Sequence, residues 1–174
     1  GNPKGVMLSH GGILSNCEGA LFLLQEFISK KARFLTWLPL SHSYEHTVQF
    51  VQIALGARVF YAESIDKLIK NMGECHPDIM TAVPRFYQNL YQKINASFEK
   101  TKGLKKYLIN KMLFLGEKIL FKNKLSFLEK VQNIICEKIV RKKIKAQFGG
   151  SLKLFISGGG ALDKDVGIFL NAIG

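Results

Sequence analysis

Short apolar runs alternate along this chain with longer stretches in which apolar residues recur every three or four positions. The run "ARFLTWL" (Ala32–Leu38) is brief, apolar and aromatic, and predicts a strand. "ARVFYA" (Ala57–Ala62), opened by Gly56, predicts a second, and "PDIMTAV" (Pro77–Val83) a third. "SLKLFISG" (Ser151–Gly158) predicts the last. Helical spacing marks "GGILSNCEGALFLLQEF" (Gly11–Phe27) and "EHTVQFVQIAL", where Val48, Val51, Gln52 and Leu55 share a face from about Glu45 onward. A further helix is expected over Ser64–Cys75, with Ser64 as N-cap and apolar residues at Ile65, Leu68, Ile69 and Met72. Pro84 suits the first turn of the helix in "PRFYQNLYQKI". From Gly103 to Phe148 the pattern reads as helical, with an apolar stripe through Leu125, Leu128, Val131, Ile135 and Ile139 and Lys on the other faces. Gly149-Gly150 end it, and Asp163 opens a final helix. This alternation predicts an α/β fold: a partial, largely parallel sheet flanked by helices, with a basic helical segment at about 100–148.

The chain has 174 residues and 47% hydrophobic content, enough for one domain with a core. No apolar run approaches the ~20 residues that cross a bilayer. The opening without Met, and an end within an apparent helix, read as an internal piece of a longer protein. Three widely separated cysteines, Cys17, Cys75 and Cys136, fit a reducing compartment better than a disulfide framework, so a cytoplasmic setting is expected.

Charge changes this picture in one place. Between Lys100 and Lys145 stand 14 Lys/Arg against three acids, Glu117, Glu129 and Glu137, a net +11 of the chain's +12. Such a segment is either a solvated helical face or a surface for anionic membrane; Arg is scarce and no nucleic-acid-binding module is recognisable, so no nucleic acid is expected.

Three stretches carry candidate chemistry. "HSYEH" (His42–His46) has the H-x-x-E-H spacing of a zinc hydrolase helix, in which the Glu would activate water. Pro39 fits poorly inside such a helix, so His42 is expected on the loop leaving a strand and His46 on the helix that follows. "GNPKGVMLSH" (Gly1–His10) combines Gly1 and Gly5, which permit positive φ, with Pro3 and the point charge of Lys4. It is either a polyphosphate-binding loop or an ordinary turn with a surface lysine. "FISGGGALD" (Phe155–Asp163) places Gly158, Gly159 and Gly160 just past a strand, where open α/β sheets bind ligands or where a strand-to-helix turn needs unusual dihedrals. His10 and His76 are read as structural or solvent-exposed.

Together these blocks resemble a family. "GNPKGVMLSH" looks like the second half of the phosphate-binding signature of acyl-adenylate-forming (AMP-binding) enzymes, and "WLPLSHSYEH" resembles their second motif. "TAVPRFYQNLYQKI" and "FGGSLKLFISGGGALD" resemble the long-chain fatty acyl-CoA synthetases among them. The resemblance implies one partial adenylation domain over residues 1–174, with an upstream subdomain and a C-terminal domain outside it. It implies ATP-dependent activation of a fatty acid to acyl-adenylate and then to acyl-CoA, with Mg²⁺ and coenzyme A. It implies that Gly1, Pro3, Lys4 and Gly5 cradle the β- and γ-phosphates, and that His42 lies near the carboxylate and α-phosphate. Gly158, Gly159 and Gly160 would border adenine and the acyl tunnel, with Trp37 and Tyr44 as neighbours of its wall. The Mg²⁺ ligands and the catalytic Lys of the family would lie outside these residues, so the 174 residues alone are expected to be inactive. Another acid substrate, or a non-enzymatic basic lipid- or nucleic-acid-binding domain, remains the alternative.

Overall fold

The computed structural model describes residues 4–27 and 31–174. Its elements alternate as expected: α1 (His10–Leu24), β1 (Arg33–Thr36), α2 (Ser43–Ala54), β2 (Arg58–Tyr61), α3 (Leu68–Cys75), β3 (Ile79–Ala82), α4 (Pro84–Glu99), α5 (Gly103–Leu120), α6 (Phe127–Cys136), a π-helical turn (Glu137–Arg141), α7 (Lys142–Gln147), β4 (Leu154–Ser157) and α8 (Lys164–Ala172). The sheet has the order β2-β1-β3-β4, with β1 parallel to β2 (Phe34 opposite Val59) and to β3 (Phe34 opposite Ile79). The α/β expectation with a parallel sheet therefore holds. The chain divides into two compact units: the described residues to Thr81 with Ser151–Ile156, and Ala82–Gly150 with Ser157–Gly174.

In the first unit, β1 is the inner strand and buries residues on both faces, as its unbroken apolar run requires; Phe34 and Leu35 are each 1% exposed. Burying each such side chain is worth about 1.5–3 kcal/mol. Helix α1 lays Ile13, Cys17, Ala20 and Leu24, one helical stripe, against Phe34, Val51 and Ile79. Ser9 caps it, accepting from the Gly12 amide at 3.0 Å. Asp78 aligns the starts of β1 and β3 by accepting from the Arg33 amide (2.9 Å) and Arg33 Nε (3.1 Å).

In the second unit, Phe98, Ile109, Met112, Cys136, Phe169 and Ile173 form the core. Helices α5 and α8 approach so closely that a Cβ on Gly116 would sit 2.5 Å from Ala172 Cα. Arg141, 4% exposed, is paired with Glu137 and gives four of its five N–H donors to named acceptors. It donates to the Ala172 carbonyl (Nε, 2.8 Å), the Met112 carbonyl (Nη2, 3.1 Å), Asn133 Oδ1 (Nη1, 2.8 Å) and the Glu137 carboxylate (3.4 Å).

Three expectations are corrected, and the direction of one apolar stripe is now fixed. The helix placed at Ser64 begins at Leu68, because Ser64–Lys67 closes a turn (Lys67 amide to Ser64 carbonyl, 3.2 Å) and leaves Ile65 exposed. The helix placed from Glu45 begins two residues earlier, at Ser43. The single helical run from Gly103 to Phe148 is broken at Phe121, and Ser126 starts a new helix through a capping box with Glu129. Its apolar stripe faces outward: Leu128, Val131, Ile135 and Ile139 are exposed, whereas Glu129, Asn133 and Cys136 turn inward.

Candidate functional site

The first turn of α2 is where the sequence places its sharpest candidate. Parallel strand β1 runs out at Thr36, and the connection to the helix passes through Trp37–His42, with the His42 amide closing a turn onto the Pro39 carbonyl at 3.0 Å. His42 is the N-cap residue, with extended backbone (φ −85°, ψ 134°), and its carbonyl accepts from the His46 amide at 2.9 Å. His42 thus lies at the end of the loop leaving β1 and His46 inside the helix that follows, as expected. The extended backbone directs His42 away from a helical Cβ path, and the His46 ring packs edge-on against Phe50 at 5.2 Å. His42 is exposed and no side chain caps this helix, so the imidazole and the free amides of the first turn face the same loop.

Beneath this turn the chain is polar, buried and ordered. Glu45, wholly buried, accepts from Thr81 Oγ1 at 3.3 Å, while Thr36 Oγ1 accepts from Gln52 Nε2 at 2.9 Å. Burial pushes the Glu45 carboxyl up from its ordinary range, and the two threonine hydroxyls only partly offset that. Glu45 Oε1 and Gln52 Oε1 have no partner. Trp37 Nε1 donates to the Thr81 carbonyl at 2.9 Å, and the Tyr44 hydroxyl donates to the Ile156 carbonyl at 3.4 Å. Burial, with Glu45 beside it, pushes the Tyr44 phenol up to about 12. Trp37 and Tyr44, read from the sequence as neighbours of a tunnel wall, are thus fastened to the strands below. Glu45, Thr36 and Thr81 were missed as candidates; the H-x-x-E spacing and threonines inside apolar strands were the available signals.

A zinc site does not form. The Glu that would activate water is buried, and among the described residues no three His, Cys, Asp or Glu side chains stand together in a way that could hold a metal ion. The same observation bears on magnesium: the described part of the chain supplies no ligand set for it.

Gly1 and Pro3 lie outside the described residues. Lys4 and Gly5 are exposed, in irregular chain leading to the Ser9 cap of α1. Gly5 does not use the positive φ that glycine permits; a Cβ there would meet nothing within 4 Å, so the loop is open rather than sterically confined. In the second unit, the Gly158 amide continues the strand pairing by donating to the Ala82 carbonyl at 3.1 Å. Gly159 then takes φ +76°, which favours glycine, and a Cβ there would lie 3.7 Å from Val83 Cγ1. Gly160 has Pro84 Cγ at 3.6 Å by the same measure. The turn therefore has the backbone need that a strand-to-helix connection implies. Asp163 caps α8, accepting from the Asp165 (2.9 Å) and Val166 (3.1 Å) amides. His10 begins α1, and His76 closes α3 in the left-handed region (φ 47°), donating its amide to the Met72 carbonyl. Both have the structural places expected of them.

In open parallel α/β sheets ligands bind beyond the carboxyl ends of the strands; His42 in the first unit and the glycine turn at 158–160 in the second each follow such an end. Over residues 1–174 the chain matches the AMP-binding enzyme family, and it belongs to that family. It is 30% identical over 171 residues to long chain acyl-CoA synthetase 6, peroxisomal, of Arabidopsis thaliana, covering 98% of this chain and 23% of that protein. It is 32% identical over 174 residues to fatty acyl-CoA synthetase A of Dictyostelium discoideum (99% and 25%). With long-chain-fatty-acid–CoA ligase 1 of Cavia porcellus it shares 26% identity over 175 residues (99% and 24%). The chain spans about a quarter of the length of these curated relatives. No solved structure matches it.

Proposed function

We propose that this chain is part of a long-chain fatty acid–CoA ligase that forms AMP, and that it contributes His42 and two backbone segments to the adenylation step. The observation that carries this is the exposed His42 at the N-terminus of α2, in a chain whose whole length matches the AMP-binding family. The names of the relatives favour a fatty acid over another carboxylic acid.

In the first step a fatty acid carboxylate oxygen attacks the α-phosphorus of ATP. The bond to the oxygen bridging to the β-phosphorus breaks, giving acyl-adenylate and pyrophosphate. Negative charge spreads over phosphate oxygens, and a fixed hydrogen-bond donor beside them lowers the barrier. His42 fills that role by donating to the carboxylate or the α-phosphate, helped by the positive end of the α2 dipole. Gly1, Pro3, Lys4 and Gly5 hold the β- and γ-phosphates, with Lys4 supplying a cation and an open loop supplying amides. Gly158, Gly159 and Gly160 lie along the adenine and the acyl chain. In the second step the coenzyme A thiolate attacks the acyl carbonyl carbon and AMP departs. Mg²⁺, when bound, neutralises phosphate charge using ligands outside these residues.

The protein is placed in the cytoplasm, where α5 and α6 touch anionic membrane through 100–145. The outward stripe of α6 supports this: Phe127, Leu128 and Ile134 are exposed among Lys124, Lys130 and Lys138. No helix among the described residues is long and apolar enough to cross a membrane.

Fatty-acid-dependent ATP–pyrophosphate exchange by the full-length protein tests the activity. Exchange that requires a long-chain acid and falls at least about tenfold in His42→Ala supports it. No exchange with any fatty acid overturns it. Flotation with anionic and neutral vesicles tests the membrane contact, which equal failure to bind both would rule out.

A further inference from the structure

Glu45 is an expensive residue to keep. A carboxyl at the third position of a helix ordinarily reaches back to the N-cap amide at the surface, where the helix dipole also favours its charge. Here the His42 amide is already used by the Pro39 carbonyl, and the Glu45 side chain turns inward instead. It is wholly buried with one oxygen unpartnered, in a place where an apolar side chain of similar size would cost the fold less.

What that arrangement produces is a fastening. Thr36 is the last residue of β1 and Thr81 lies in β3; they are 1% and 2% exposed. The Thr81 hydroxyl donates to Glu45, and Thr36 accepts from Gln52 of the same helix, so α2 is held to both strands. Thr81 also holds the Trp37 indole through its carbonyl. The loop before His42 and the helix after it are therefore tied to one strand residue, and Tyr44 adds a tie to the Ile156 carbonyl. His42 itself has no side-chain capping bond that would hold it.

We infer that Glu45 is a positioning residue for the adenylation proposed above: through Thr81 it fixes the first turn of α2, and so the place of His42. It touches no substrate and transfers no proton. Its effect passes through the imidazole, and the inference rests on the reading of His42 as a donor to the reacting carboxylate or α-phosphate.

The test is a double-mutant cycle in the full-length protein, using fatty-acid-dependent ATP–pyrophosphate exchange, with circular dichroism as the check on folding. Glu45→Ala is expected to lower kcat of exchange about tenfold, with KM for the acid within about twofold, and to add nothing once His42→Ala is present. Glu45→Gln keeps an acceptor for Thr81 and restores most of the rate. If Glu45→Ala fails to fold, Thr81→Val removes one tether alone and should show a smaller loss that also vanishes in the His42→Ala background. Losses that multiply in the double variant, or a Glu45→Ala rate equal to wild type, overturn the inference while leaving the proposed activity intact. A wild-type protein that exchanges with no acid overturns the activity and the inference together.

Discussion

Glu45 and Glu129 occupy the same position, the third residue, in helices α2 and α6, and their fates are opposite. Glu129 completes a capping box: it accepts from the Ser126 amide at 2.8 Å and from Lys118 Nζ at 2.8 Å. The Lys118 ammonium and the Ser126 amide hold its carboxyl down at about 2. Glu45 has no cation, lies beneath its helix on the Thr81 hydroxyl, and is pushed upward by burial. Position along a helix therefore does not decide what a carboxyl does. The preceding residues do: Ser126 leaves its amide for the glutamate, whereas His42 gives its amide to a proline carbonyl and sends the glutamate elsewhere. In the second unit Glu129 is paired with a cation and structural; in the first, Glu45 has no cation and lies under a candidate catalytic group.

Four measurements press on that contrast, in order of size. Arg141→Ala should cost about 3 kcal/mol or more in denaturant unfolding, since it leaves the Met112 and Ala172 carbonyls without their buried donor. A loss below about 1 kcal/mol would mean that inward charge in the second unit is not held as described. Next come Glu129→Gln and Glu45→Gln, followed against pH. Glu129 has a depressed pKa, so its contribution is complete above its ordinary 4.5 and fades as pH falls toward about 2; the variant's deficit should fade with it. Glu45 has a raised pKa, so its ionised form weakens the fold at neutral pH. Glu45→Gln should be the more stable protein there, with the gap closing as pH falls toward 4.5. Parallel pH profiles would erase the distinction between the two carboxyls. Ser126→Ala should cost about 1 kcal/mol through loss of the capping box. Leu128→Ser should fall within about 0.5 kcal/mol, because its side chain is 71% exposed; a cost above about 2 kcal/mol would show the outward stripe to be covered.

Much of this was legible from residue order. The strands at Phe34, Val59, Ile79 and Phe155, and Pro84 at a helix start, follow from runs and turn chemistry whose signals are local. The break at Phe121 was also written locally, as Ser126-x-x-Glu129, but the apolar periodicity on either side masked it. The direction of the α6 stripe was not legible. Spacing reveals that a helix has two faces; which one is covered depends on partners distant in sequence, here Lys118 for Glu129 and Met112 for Arg141. The candidate site divides in the same way. His42 stood out by its place after an apolar run, whereas the inward turn of Glu45 depends on Thr81, 36 residues away.

The π-helical turn at Glu137–Arg141 acts as a phase shifter. A single residue more than an α-turn needs lets Cys136 and Arg141, five apart, both point into the second unit. Were the same residues wound as continuous α-helix, everything beyond would be rotated by about 100° relative to α6. The guanidinium would then swing off the Met112 and Ala172 carbonyls. Deleting one residue within the turn would instead leave Cys136 and Arg141 four apart, the α-helical spacing that keeps both on one face, so such a deletion should be tolerated better than a further insertion between Cys136 and Lys142.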